Sequence, residues 1–156
     1  MFQIFRINAA VGGNIVFSII MALLLAGLTA CTAEPIPELD TYNCWTRPAV
    51  MGVGTAAVYF TIVNNGGASD VLTDVSSDAA ESARLHETQI EMGIMSMIPI
   101  SHIKIPAKGR IELQPGGFHV MLVGLKQDLS PGETVSVMLY FEKNDVMAIE
   151  AEVREP

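Results

Sequence analysis

From residue 56 onward the chain is written in short runs of β-branched and aromatic residues separated by turn signals. The run 56–63 (Ala-Ala-Val-Tyr-Phe-Thr-Ile-Val) is closed by Asn64-Asn65-Gly66-Gly67, as expected of a strand that enters a turn. Further runs cover 71–75, 83–88, 94–100, 110–113, 118–123, 134–141 and 146–153. Their breaks fall at Met92-Gly93, 106–109, Pro115-Gly116-Gly117, Ser130-Pro131-Gly132 and Lys143-Asn144-Asp145. The last run alternates, with Met147, Ile149, Ala151 and Val153 on one side and Val146, Ala148, Glu150 and Glu152 on the other. Beyond the first thirty residues no helical period lasts longer than two turns. About eight short strands in roughly a hundred residues predict an all-β domain, an antiparallel sandwich or small barrel.

The amino terminus follows a different pattern. Residues 1–30 carry one charge, Arg6, and an apolar run over 15–28 that ends in small residues. Such a run is short for a spanning helix and reads as a signal peptide. Leu28-Thr29-Ala30-Cys31 resembles the bacterial lipobox, in which the cysteine is lipidated and becomes the mature first residue. An uncleaved membrane anchor is the alternative, and either route places the domain outside the cytoplasm. Residues 31–40, with Glu34, Pro35, Pro37, Glu38 and Asp40, read as an acidic tether. It would reach up to about 30 Å if polyproline-like. The β-domain is then expected over 41–156.

From Cys31 onward the chain has 8 basic residues (9 less Arg6) against 17 acidic ones. This balance excludes nucleic acid as a partner, because that affinity rests on Lys and Arg neutralising phosphates. It fits the solubility of an exported domain, with attraction of cations or of a basic partner surface as a secondary effect. With Cys31 carrying lipid, Cys44 has no partner for an intramolecular disulfide. An apolar core must hold the domain together, and a chain of about 120 residues can supply one. Cys44, beside Trp45, reads as a small buried hydrophobe.

Candidate chemistry lies in His86, Met97, His119 and Met121. Ten residues separate the first pair, twenty-one separate Met97 from His119, and His119-Val120-Met121 closes the set. Thioether sulfur is a soft donor that hard cations ignore and that Cu(I) takes readily. An oxygen-ligated Ca or Mg site would need clustered carboxylates, which the intervening residues lack. In a strand, His119 and Met121 leave the same face, opposite Phe118, Val120 and Leu122, the natural core set. With a two-residue turn at Met92-Gly93, residue 88 pairs with 97, and His86 lies diagonally across from Met97 on one face. Two strand pairs, each with one His and one Met, could close a four-coordinate Cu(I) site. The remaining methionines Met51, Met92, Met95, Met138 and Met147 read as gap-filling core, and His102 as a surface residue.

These residues resemble the periplasmic copper chaperones called PCu(A)C. The spacing of the four donors is theirs, and so is the local text. It includes Trp45-Thr46-Arg47-Pro48, Tyr59 to Asn64, Leu85-His86-Glu87-Thr88, Gly93-Ile94-Met95-Ser96-Met97, and Leu113 through Leu122 around Gln114-Pro115-Gly116-Gly117. The resemblance runs from about Asp40 to Val153. It implies a cupredoxin-like Greek-key β-barrel that binds Cu(I) through His86, Met97, His119 and Met121. It further implies delivery to the copper centre of cytochrome c oxidase subunit II, alongside or through a thioredoxin-like Sco partner. Family members often have alanine at the position of Cys44, and some add a His/Met-rich tail for further copper. The present chain shows no such tail before Pro156, so one copper is expected.

Two competing functions are weaker, and a third is not separated by sequence. An electron-transfer cupredoxin needs His₂Cys with a weak axial Met, and Cys44 stands 42 residues before His86. An enzyme would need an open coordination position or a nucleophile grouping, and neither is visible. Copper sequestration uses the same site as delivery and is separated from it only by what happens after binding.

Overall fold

A computed structural model describes residues 34–155. The signal segment and the lipobox Cys31 lie outside these residues. The described chain is ten strands and one short 3-10 turn at Met51–Val53. The strands are β1 Leu39–Thr46, β2 Thr55–Asn64, β3 Asp70–Ser76, β4 Ala80–Glu91 and β5 Ile94–Pro99. They continue as β6 Ile103–Ile105, β7 Arg110–Leu113, β8 Phe118–Leu125, β9 Thr134–Phe141 and β10 Met147–Val153. All eight expected runs are strands; β1 and β6 are additional.

Both additions have local causes. Leu39–Thr46 (LDTYNCWT) lacks alternation because Asn43 has a positive φ of 53° and the register against β2 shifts between Tyr42 and Trp45. Such a bulge places an extra residue in the strand and erases its period. β6 is only Ile103-Lys104-Ile105, two buried isoleucines around an exposed lysine. Because β1 starts at Leu39, it takes in the last two residues of the segment read as tether. The residues before it are bound in as well. Asn65 N–H donates to the Glu38 carbonyl at 2.7 Å, and Glu38 N–H donates to Asn64 Oδ1 at 3.1 Å. Gly66 permits this approach: a Cβ there would stand 2.3 Å from the Ile36 carbonyl oxygen.

The strands form one sheet in the order β5-β4-β8-β7-β2-β1-β10-β9-β3-β6, with β8 also pairing β2. Most pairings are antiparallel as expected, but β1 runs parallel to β10, and β7 meets β8 in parallel at Leu113 and Phe118. The sheet curls so that its two halves share one core. Val58, Phe60 and Ile62 of β2, Leu85 of β4 and Val120 and Leu122 of β8 meet Leu72 of β3, Ile105 of β6 and Val137 and Leu139 of β9 there. Burial of this apolar surface is the main stabilising term. Cys44 packs half-buried against it, with its thiol pKa raised by burial and drawn back in part by a hydrogen bond with Thr41.

One buried carboxylate pins the curled sheet. Asp70, at the start of β3, accepts hydrogen bonds from the backbone N–H groups of Val71, Lys143 and Asn144 and from Asn144 Nδ2. With its oxygens so satisfied, it acts as a structural clamp on the loop between β9 and β10.

Candidate metal centre

The register of three strands brings together the four residues expected from sequence to be donors. β4 and β8 pair antiparallel with His86 opposite His119 and Arg84 opposite Met121. β4 and β5 pair with Thr88 opposite Met97 and His86 opposite Pro99, which is the hairpin register expected from the sequence. Met92 and Gly93 make the turn, with φ of 50° and 80°, the mirror-image geometry that suits two-residue hairpins. Directly paired residues share a face, and so do residues two apart on one strand. His86, Met97, His119 and Met121 therefore leave the same face. The opposite face carries Leu85 paired with Val120 and Ala83 paired with Leu122, and it lies on the core.

The imidazoles are close, and that of His119 is covered. Their ring centroids are 5.8 Å apart at an interplanar angle of 58°. Although it points away from the core, His119 is only 2% exposed, a deeper position than face parity alone suggests. Tyr59 of β2 stands over it, ring centroids 6.3 Å apart, and Trp45 stacks on Tyr59 at 4.8 Å. Arg154 in turn lies 5.3 Å from the Trp45 ring centre. Neither aromatic was assigned a part in the site from sequence. Burial raises the Tyr59 phenol pKa, with the Arg47 charge acting the other way, so the cover stays neutral.

The hydrogen bonds of His119 determine which nitrogen is free. Its Nδ1 lies 3.1 Å from the carbonyl oxygen of Gly117, which also accepts the Thr88 N–H at 3.1 Å. A carbonyl only accepts, so Nδ1 carries the proton and Nε2 presents its lone pair. Nε2 is buried and has no hydrogen-bond partner among the described residues; the same holds for Nδ1 of His86. Buried nitrogens are seldom left unpaired, and each costs about 1–3 kcal/mol. Two such atoms on facing rings fit a metal ion as their partner. The His86 pKa is lowered, by burial first and then by His119 and Arg84, which keeps its ring neutral as ligation requires.

The two thioethers of this face differ in exposure. Met121 is partly covered, whereas Met97 on the edge strand β5 is 51% exposed. Among the described residues no group of three or more His, Cys, Asp or Glu side chains gathers to hold a metal. A full donor set on this face thus has to draw on the thioethers, and two imidazoles with two thioethers suit Cu(I).

Other residues fall elsewhere. His102 is exposed, pairs with Ser101 Oγ at 2.8 Å, and precedes β6 at the far edge of the sheet. Of the methionines read as core, Met138 and Met147 are partly buried, but Met51, Met92 and Met95 are exposed. Composition alone could not separate these, because Met serves apolar fill and soft coordination equally well.

Solved PCuAC domains share this cupredoxin-like β-fold. The copper-bound PCuAC domain from PmoF2 superposes with a TM-score of 0.64 and 27% identity, over 76% of this chain and 93% of that one. The CuI-bound DR1885 from Deinococcus radiodurans gives 0.55 and 28%, over 83% and 85%. The chain belongs to the family described as "Putative lipoprotein LpqE-like", whose model matches residues 39–153. Within the sequence relatives, "Putative lipoprotein Lxx21020" of Leifsonia xyli is 32% identical over 146 residues, 86% of this chain and 87% of that protein.

Proposed function

We propose that this protein is an extracytoplasmic copper carrier that binds one Cu(I) through His86, Met97, His119 and Met121. The observation that carries the reading is the pair of unpartnered buried nitrogens, His86 Nδ1 and His119 Nε2, on facing rings between two thioethers of the same sheet face. The likeness to copper-bound PCuAC domains supports it. Gly117 and Tyr59 hold and cover His119, the lowered His86 pKa keeps a lone pair available, and the soft sulfurs favour the reduced ion. Exposure of Met97 favours carriage over storage, because an acceptor's ligand can reach the metal from that side.

The same reading places the domain on a membrane through lipid on Cys31, in keeping with the lipoprotein naming of its family and of its Leifsonia relative. Acyl chains contribute about 0.8 kcal/mol per buried CH₂, so two or more give stable anchoring. The acceptor in this reading is cytochrome c oxidase subunit II or a Sco-like protein, by family likeness. X-ray absorption of the Cu(I) protein tests the ligand set and should show two nitrogens and two sulfurs. An oxygen-only shell, or one containing thiolate, would rule it out. Cys31→Ser should release the protein from membranes. Loss of oxidase activity in a deletion strain at limiting copper, restored by added copper, would separate delivery from sequestration.

A further inference from the structure

Four donors do not account for the β4–β5 hairpin. Every residue of β5 is exposed, and so are Ile90 and Met92 before it. Ile90, Met92, Ile94, Met95, Met97 and Ile98 are six of the large exposed hydrophobic side chains of the described domain, gathered on one hairpin. Natural edge strands are usually shortened, charged or covered, and clustered apolar exposure marks a place of interaction. The turn is stranger still. Met92 has φ 50° at a position that favours Asn, Asp or Gly, because a Cβ there crowds the next carbonyl. The residue that accepts this crowding is 100% exposed and buries nothing in return.

Register relates these residues to the site. Ile90 pairs with Met95 as Thr88 pairs with Met97. Met95 therefore shares the outward face of Met97, about 6.6 Å further along the strand, and is 61% exposed. Beyond it, at the hairpin tip, stands Met92. Sulfurs thus recur from the tip of the hairpin to its root beside His86.

We propose that Met92 and Met95 form a thioether relay through which Cu(I) enters and leaves the site; this rests on the copper reading above. In each step one Cu–S bond forms as one bond to the previous ligand breaks, and copper stays Cu(I). No proton moves, since a thioether has none to lose, in contrast to a thiol. Met95 engages the incoming ion and passes it to Met97, and the facing imidazoles of His86 and His119 then capture it. The relay serves a donor or acceptor whose own ligands are soft sulfurs, because only such ligands compete evenly with a thioether. Exposure, which would be a liability in a structural methionine, is what an exchange ligand requires.

Stopped-flow transfer of Cu(I) from the full-length protein in detergent to bicinchoninate, paired with equilibrium competition against the same chelator, tests this. Met95→Leu and Met95→Gln should each slow transfer about tenfold and leave the affinity at its wild-type value. Met92→Leu should slow transfer by a smaller factor. Wild-type rates in Met95→Leu would overturn the relay and leave the four-donor site intact. Slow transfer in Met95→Gln alone would also overturn it, by showing that the residue acts through apolar contact. Loss of affinity in Met95→Leu would make Met95 an equilibrium ligand and contradict the relay as well. A wild-type protein that binds no Cu(I) would instead overturn the copper reading itself.

Discussion

The two sides of the site differ in how they are held. On the β4–β8 side, two imidazoles face each other across a paired register, one of them 2% exposed and tied to a backbone carbonyl. On the β4–β5 side, Met97 sits half-exposed on an edge strand with no neighbour beyond it. One side is pre-organised and the other is open. Fixed donors lose little entropy on binding and so govern affinity. An exposed, flexible thioether can leave and return, and so governs exchange. A carrier needs both, because a wholly buried site would release its ion too slowly and a wholly exposed one would not retain it.

The sharpest way to break this contrast is to remove the fixed side. His119→Ala and His86→Ala should each reduce Cu(I) affinity by more than the roughly 10–100-fold typical of an outer-shell change, as read by chelator competition. His102→Ala and Cys44→Ala should leave it unchanged. A His119→Ala protein with wild-type affinity would end the distinction.

On the sulfur side, Met97→Leu and Met121→Leu conserve volume and should cost less than about 1.5 kcal/mol of stability, while weakening Cu(I) binding by a smaller factor than loss of either imidazole. Met121, the more covered of the two, should lose more affinity than Met97. Equal losses would show that coverage does not set the rank.

A control lies far from both sides. Asp70→Ala removes the buried acceptor of four hydrogen bonds and should destabilise the domain by about 3 kcal/mol in urea denaturation. Copper affinity of the remaining folded protein should be unaltered.

Protons probe the fixed side more gently. The His86 pKa is lowered in the folded domain by burial, by His119 and by Arg84, from an unfolded value of about 6.5. Just below pH 6.5 the unfolded chain therefore binds more protons than the folded one. Stability of the metal-free domain must fall as pH drops through that window and level off below the folded pKa. Urea midpoints at several pH values should show this slope, and His86→Ala should flatten it. For the same reason copper should be retained to a lower pH than a free imidazole would allow.

The smallest effect belongs to the hairpin tip. Met92→Asn replaces a side chain poorly suited to positive φ and should stabilise the domain by about 0.5–1 kcal/mol. A decrease in melting temperature would mean that Met92 makes contacts which its full exposure denies.

Most of the site was legible because strand parity is rigid. Once 118–123 is a strand, His119 and Met121 must share a face, and once Met92-Gly93 is a two-residue turn, Thr88 must meet Met97. What escaped were features that parity does not encode. The direct pairing of His86 with His119 joins strands more than thirty residues apart in sequence, and no local signal states that register. Tyr59, itself packed on Trp45, reaches His119 only through the β1–β2–β8 order. β1 was hidden by its bulge at Asn43, and β6 by its three-residue length. Met92 and Met95 were misread as core because their hairpin sits at the sheet edge, a fact of topology rather than of composition.

The carbonyl of Gly117 receives both the Thr88 N–H and the His119 ring proton. One oxygen thus joins the alignment of β4 on β8 to the tautomer of a donor. If β4 slipped by one residue, His86 would turn to the core face, and the Thr88 N–H would leave that oxygen. On the proposed copper reading, binding then acts as a proofreader of folding: a chain with the wrong alignment presents no pair of free nitrogens, and the metal would stabilise only chains that have registered correctly.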